Sequence, residues 1–341
     1  IGKNALNDLT SGNMNYAVGN NAGQLITTGT DNVLMGYSAG GALTTGTTNT
    51  VLGCGALQNN NATGNVAVGR FAGLNCGGDN NVYLGKQAGY GDAAGSTGDT
   101  NVTIGYNSGY ALTSGYNNTA VGAHSLDACT TGYANVQLGM HSGGDMTTGD
   151  NNVCLGYAAG KSITTADLSI CIGSGAGHDT TPFTTGTQCL YVGWGSHGSG
   201  GGNSQEQVIG TGLTGKGGST TYLKGNVYNS ANTSSFSTTS DRRIKKNIVD
   251  NNTGLSAINQ IIVRSFEYRT QDEITDFDNP ASAVVKREGV QLGIIAQEIE
   301  SILPDVVTTE TTGVKSVSSD NITWYLVNAV KELSAEIEQL K

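Results

Sequence analysis

Residues 118–156 read NTAVGAHSLDACTTGYANVQLGMHSGGDMTTGDNNVCLG, and the same phrase occurs three times in them. Asn118–Gly122, Asn135–Gly139 and Asn152–Gly156 each run Asn-x-x-apolar-Gly, at intervals of 17 residues. Working outward, the phrase recurs at Asn15–Gly19, Asn32–Gly36, Asn49–Gly53, Asn65–Gly69, Asn81–Gly85 and Asn101–Gly105. Degenerate copies follow at Ser169–Gly173 and Cys189–Gly193, and Gly2 begins the series. Successive anchor glycines are 17, 17, 17, 16, 16, 20, 17, 17, 17, 17 and 20 residues apart. Three residues after each anchor stands Ala or Ser, from Ala5 to Ser196. A fixed period of this length marks a stacked repeat.

Within each copy the residue before the anchor is apolar (Val18, Met35, Leu52, Ile104, Leu155), and the residue two earlier is usually β-branched or apolar (Val33, Val66, Val136). The position between them varies freely: Ala17, Thr103, Gln137, Tyr191. A period of two marks a short strand with one buried face. Strand, Gly turn, small residue and Thr-Thr-Gly turn make one coil, and stacked coils make a parallel β-helix or β-roll. At about 4.8 Å per coil, eleven intervals give a rod about 50 Å long. So thin a coil offers two or three inward side chains, so several chains, most simply three, are expected to pack together and share a larger core.

The composition divides the chain. Gly makes up 52 of 341 residues, about twice the usual share, and charged residues are scarce at 13%. Collagen is excluded, since there are 3 Pro and no Gly at every third position. Residues 1–200 hold 4 Lys+Arg and 10 Asp with no Glu; the remainder carries 13 Lys+Arg and 17 Asp+Glu. The net charge of −10 argues against a nucleic-acid surface, and no apolar run is long enough to insert in a membrane. The chain opens on Ile1 rather than Met and shows no signal peptide, as a piece of a longer polypeptide would. Three parts are expected: a repeat domain over 1–197, a Gly-rich joint with short strands over 198–236, and a small α+β module over 237–341.

The last part closes on Leu326, Val330, Leu333, Ile337 and Leu340, spaced 4, 3, 4, 3, which predicts a short coiled-coil helix. Ahead of it stand Ser240-Asp-Arg-Arg-Ile-Lys245-Lys-Asn247-Ile248 and Leu292-Gly-Ile-Ile-Ala-Gln-Glu-Ile-Glu300, then Ile302-Leu-Pro304. These blocks, in this order, resemble the C-terminal intramolecular chaperone of endosialidase-type phage tail spikes and fibres, with relatives in the myelin regulatory factor. The resemblance covers residues 237–341. It implies a module that trimerises, templates the β-structure ahead of it, and cuts itself off through a Ser-Lys dyad, here Ser240 and Lys245. A Ser hydroxyl needs a base, and a neutral Lys amine serves as one. Burial on assembly would favour that neutral form, with Arg242, Arg243 and Lys246 disfavouring a further charge beside them. The bland alternative makes Ser240 a cap and Lys245 a solvated charge. The repeats, in turn, resemble the heads of trimeric autotransporter adhesins, whose strands read Asn-Ser-Val-Ala-Ile-Gly, although those coils are usually shorter.

Other residues point to little chemistry. The six Cys contain no Cys-x-x-Cys pair, so neither metal nor cofactor is expected. Cys154 and Cys171 fall at one repeat position on neighbouring coils, close enough for a disulfide but read as free wall-filling thiols. His124 and His141 should stack in an outward ladder, a metal-binding ring being the alternative. The Thr-Thr-Gly turns (Thr27, Thr44, Thr130, Thr147, Thr184) admit an ice-binding ladder, while Asp-Asn pairs look like calcium turns that lack the full nonapeptide. Paired carboxylates for glycan cleavage are not apparent. The expectation is a homotrimeric phage tail fibre or virion appendage that binds a host glycan or protein receptor. A cell-surface adhesin, or an ice-binding rod, is the alternative.

Overall fold

The computed structural model describes residues 1–92, 95–178, 184–200, 202–223, 240–276, 284–285, 287–310 and 313–341. The chain forms two compact units, Ile1–Lys224 and Gly225–Lys341.

The first unit is a solenoid. Thirteen three-residue strands, from β1 (Tyr16–Val18) and β2 (Val33–Met35) to β12 (Gln207–Ile209) and β13 (Thr221–Leu223), pair in parallel and in strict sequence order. The register advances by one repeat at a time, so Ala17 faces Leu34 and Cys171 faces Cys154. The ladder extends past residue 197: Gln207–Ile209 and Thr221–Leu223 are its last two rungs. Those rungs are hard to read because Glu206 stands where earlier coils have Asn, and Lys224 where they have the anchor Gly.

The backbone explains the anchor. Gly19 has φ +137°, and a Cβ there would overlap the carbonyl of Gly36 in the next coil. In several coils two non-glycine residues also take the left-handed region, as Asn107 and Asn117 do at φ +55° and +57°. They turn the corners between short straight segments.

The buried face of each strand is the opposite of the one the apolar pattern suggests. The middle residue points inward: Ala17, Leu34, Val51, Tyr83, Gln137 and Cys154 are buried, whereas Val18, Met35, Leu52 and Leu138 beside them are exposed. Many coils close their interior with that residue, the small residue three after the anchor (Ala22, Ala39, Ala56), and a third one seven after the anchor, such as Ile26, Leu43, Leu112, Met146 or Ile163. The middle position tolerates many sizes because its neighbours adjust. Tyr83 fits because Gly73 and Gly89, against its ring, carry no side chain.

Asparagine does the rest. The Oδ1 of Asn101 accepts from the backbone N–H of Asn118 at 3.0 Å, and the Nδ2 of Asn118 donates to the Gly132 carbonyl at 2.8 Å. The same pattern links Asn118 to Asn135 and Asn135 to Asn152. The repeat shows an Asn at this place but not its task, which is to satisfy buried backbone groups between coils. In the same Thr-Thr-Gly turns the hydroxyls of Thr27, Thr130 and Thr147 donate to carbonyls of Thr44, Thr147 and Thr164.

The second unit has two antiparallel pairs, β14 (Arg264–Phe266) with β15 (Gln291–Gly293) and β16 (Val307–Thr309) with β17 (Lys315–Val317). Helices α1 (Leu255–Ile258), α2 (Ala296–Glu300) and α3 (Ser319–Gln339) accompany them. Its core gathers Ala257, Ile299, Leu303, Val306 and Tyr325. The Tyr325 hydroxyl donates to Asp305 at 2.6 Å, and Glu332 accepts from the Leu255 N–H at 2.8 Å. Thus one face of α3 holds residues 251–255, and the heptad seam, Leu326, Val330, Leu333, Ile337 and Leu340, is left exposed.

Candidate functional site: the Ser240–Lys245 turn

A single 3₁₀ turn, Arg242–Ile244, brings the two predicted residues together. Asp241 starts it: its carboxylate accepts from the Arg243 N–H at 2.8 Å, an N-cap contact. The Arg243 guanidinium returns to the same carboxylate at 2.6 Å and holds its titration below the ordinary Asp range. Lys245 closes the turn, its N–H bonded to the Arg242 carbonyl. Its extended backbone then sends the ammonium stem back, and Nζ lies 2.7 Å from Ser240 Oγ.

That contact spans five residues, which no regular helix provides, so it depends on the capped turn. Both side chains are exposed in the single chain. Of the neighbouring cations, Arg243 is paired with Asp241, which leaves Arg242 and Lys246 beside Lys245. The arrangement supplies a hydroxyl and an amine in direct contact, the geometry needed to move a proton from one to the other.

The sequence of this segment supplies the decisive observation. Residues 240–308 match the family described as chaperone of endosialidase. The match to the chaperone begins on Ser240 itself and includes β14, β15 and α2. Together with the solenoid ahead of it, the chain fits a tailspike-type protein with a C-terminal chaperone, and the chaperone family implies trimer assembly. No curated protein and no solved structure matches the chain.

Elsewhere, His124 and His141 stack at 5.2 Å on adjacent coils, with His124 Nδ1 2.9 Å from Asp127. Among the described residues no group of three or more His, Cys, Asp or Glu is arranged to hold a metal ion. Cys154 and Cys171 are buried free thiols facing each other across β9 (Val153–Leu155) and β10 (Ile170–Ile172). No helix among the described residues is long and apolar enough to cross a membrane.

Proposed function

We propose that this chain is the distal part of a homotrimeric phage tail fibre or related virion appendage. In this reading the solenoid contacts the host receptor, and the C-terminal chaperone assembles it and then cleaves beside Ser240. The observation that carries the reading is the chaperone match directly following a solenoid whose strands turn an apolar face outward. Val18, Met35, Leu52, Val68, Leu138 and Ile172 stand on that face, and neighbouring copies would remove it from water.

For cleavage, a neutral Lys245 takes the Ser240 hydroxyl proton, and Oγ attacks the carbonyl carbon of a peptide bond beside it. The amine that leaves recovers the proton, and water hydrolyses the Ser ester. Both residues are exposed in one chain, so covering Lys245 on assembly would disfavour its charged form and start the reaction. Cutting would thereby wait for correct assembly.

Denaturing mass spectrometry of the freshly expressed chain beside Ser240→Ala and Lys245→Ala tests this. The expected result is two fragments meeting at residue 240 in the wild type and one intact chain in each variant. An intact wild-type chain in native trimers would leave a chaperone that assembles without cutting.

A further inference from the structure

The position directly after each anchor glycine projects from the solenoid, and on three successive coils it holds Tyr157, Ser174 and Trp194. Tyr157 is 55% exposed and Trp194 67%, large values for aromatic side chains on a regular wall. A coil carrying only a small residue separates them, so their attachment points are two rungs, about 10 Å, apart. Between them lies a depression of 260 Å³, lined also by Gly175, Gly195, Lys161 and His178. It is smaller than the roughly 300–1,000 Å³ clefts that take drug-sized ligands.

The floor is open for a reason other than backbone geometry. Two residues after the anchor, most coils carry a side chain in the left-handed region: Asn107 at φ +55°, His124 at +54°, His141 at +59°. Gly175 and Gly195 occupy that same position at +66° and +59°. Other residues manage this conformation, so glycine is not required by it. A Cβ at Gly175 would meet nothing nearer than 3.9 Å. What glycine adds here is space between two aromatic walls.

The geometry points to a glycan-binding slot in which one pyranose ring lies between Tyr157 and Trp194. This rests on the attachment reading above and names its ligand class. A pyranose has C–H faces that pack on aromatic rings, and a rim of hydroxyls that needs polar partners. The rim partners are present. His178 is oriented by Ser162 at 2.7 Å, and Lys161 adds a cation for a hydroxyl or a sugar carboxylate. His141 stands edge-on to Tyr157 with ring centroids 6.4 Å apart, which steadies that wall.

The test applies the full chain to a glycan array of hexoses, N-acetylhexosamines, uronic acids and sialic acids, titrates the hits by isothermal calorimetry for every variant, and adds tryptophan fluorescence in a Trp324→Phe background where Trp194 is kept. Trp194 is then the sole tryptophan. Binding of at least one class, lowered tenfold or more by Gly175→Asn and by Trp194→Ala, is expected; the acidic and neutral arms show what Lys161 contacts. Asn is native to this position on other coils, as Asn21 and Asn107 show, so Gly175→Asn fills the slot while melting unchanged. No binding to any class, or binding unaltered in Gly175→Asn, would overturn the slot. Capture of bacterial cells, measured in parallel, separates the two ideas. Cells held without glycan binding would sink the slot alone, whereas glycan binding without cell capture would sink attachment.

Discussion

Inside the solenoid single side chains lie against the wall of the next coil, and their chemistry follows from that burial. Desolvation pushes the Cys76 and Cys129 thiols up to about 12, and the Cys171 thiol rises in contact with Cys154. Thiolate is the reactive form, so these groups are doubly protected, by access and by protonation. Cys54 alone is exposed. A thiol reagent at pH 8 should therefore modify one residue per native chain, Cys54, and all six after denaturation, as read by mass spectrometry. Gln137 gives a second residue-level prediction. It is fully buried, its Oε1 accepts from Ser142 at 3.1 Å, and its Nε2 meets no partner among the described residues. Leu34 fills the same position in β2. Gln137→Leu should raise stability by about 1 kcal/mol in urea unfolding, because an unsatisfied buried donor disappears. Ser142 keeps its bond to the Cys154 carbonyl.

At the scale of the coil, the asparagine ladder carries more than any one apolar contact. Asn118 gives and receives bonds with Asn101, Gly132 and Asn135. Asn118→Ala should cost about 2–4 kcal/mol, since several buried backbone groups lose partners together. Chemical unfolding checks it, and Asn118→Asp, which lacks the Nδ2 donors, should recover only part. Much of this element was legible. Anchor glycines, short strands and the small residue three further on follow from the repeat alone. The direction of the strands did not. Period two tells which residues share a face, but Val136 and Leu138 look alike whether they meet their own coil or another molecule. Variation at the middle position resembled exposure, when it reflects a narrow interior whose opposite wall is resized by glycine. The Ser240–Lys245 pair was legible as residue types in a known block. Their contact was not, because a five-residue spacing meets only through the Asp241-capped turn.

At the scale of the whole molecule, the outer strand ladder and the α3 seam both leave apolar side chains facing water. Leu333 and Ile337 lie on the exposed seam, one and two turns beyond Ala329, the last buried residue of the helix. Leu333→Glu should therefore leave each chain's helix content nearly unchanged by circular dichroism, while light scattering reports loss of trimers. If assembly gates the cut, this variant also stays full length with Ser240 and Lys245 intact. A trimer unaffected by the charge would place the contact elsewhere.

The asparagine ladder has one more consequence. Coils that carry both this Asn and the anchor glycine present their neighbours with the same carbonyls and amides, so one such coil can follow another. Excising residues 32–48 would set Asn49 against Asn15 with the bonds Asn32 now makes. Genes could thus lengthen or shorten this protein by copying or dropping whole coils, a ruler graduated in steps of about 4.8 Å. The chaperone behind it need not know how many graduations it has been given.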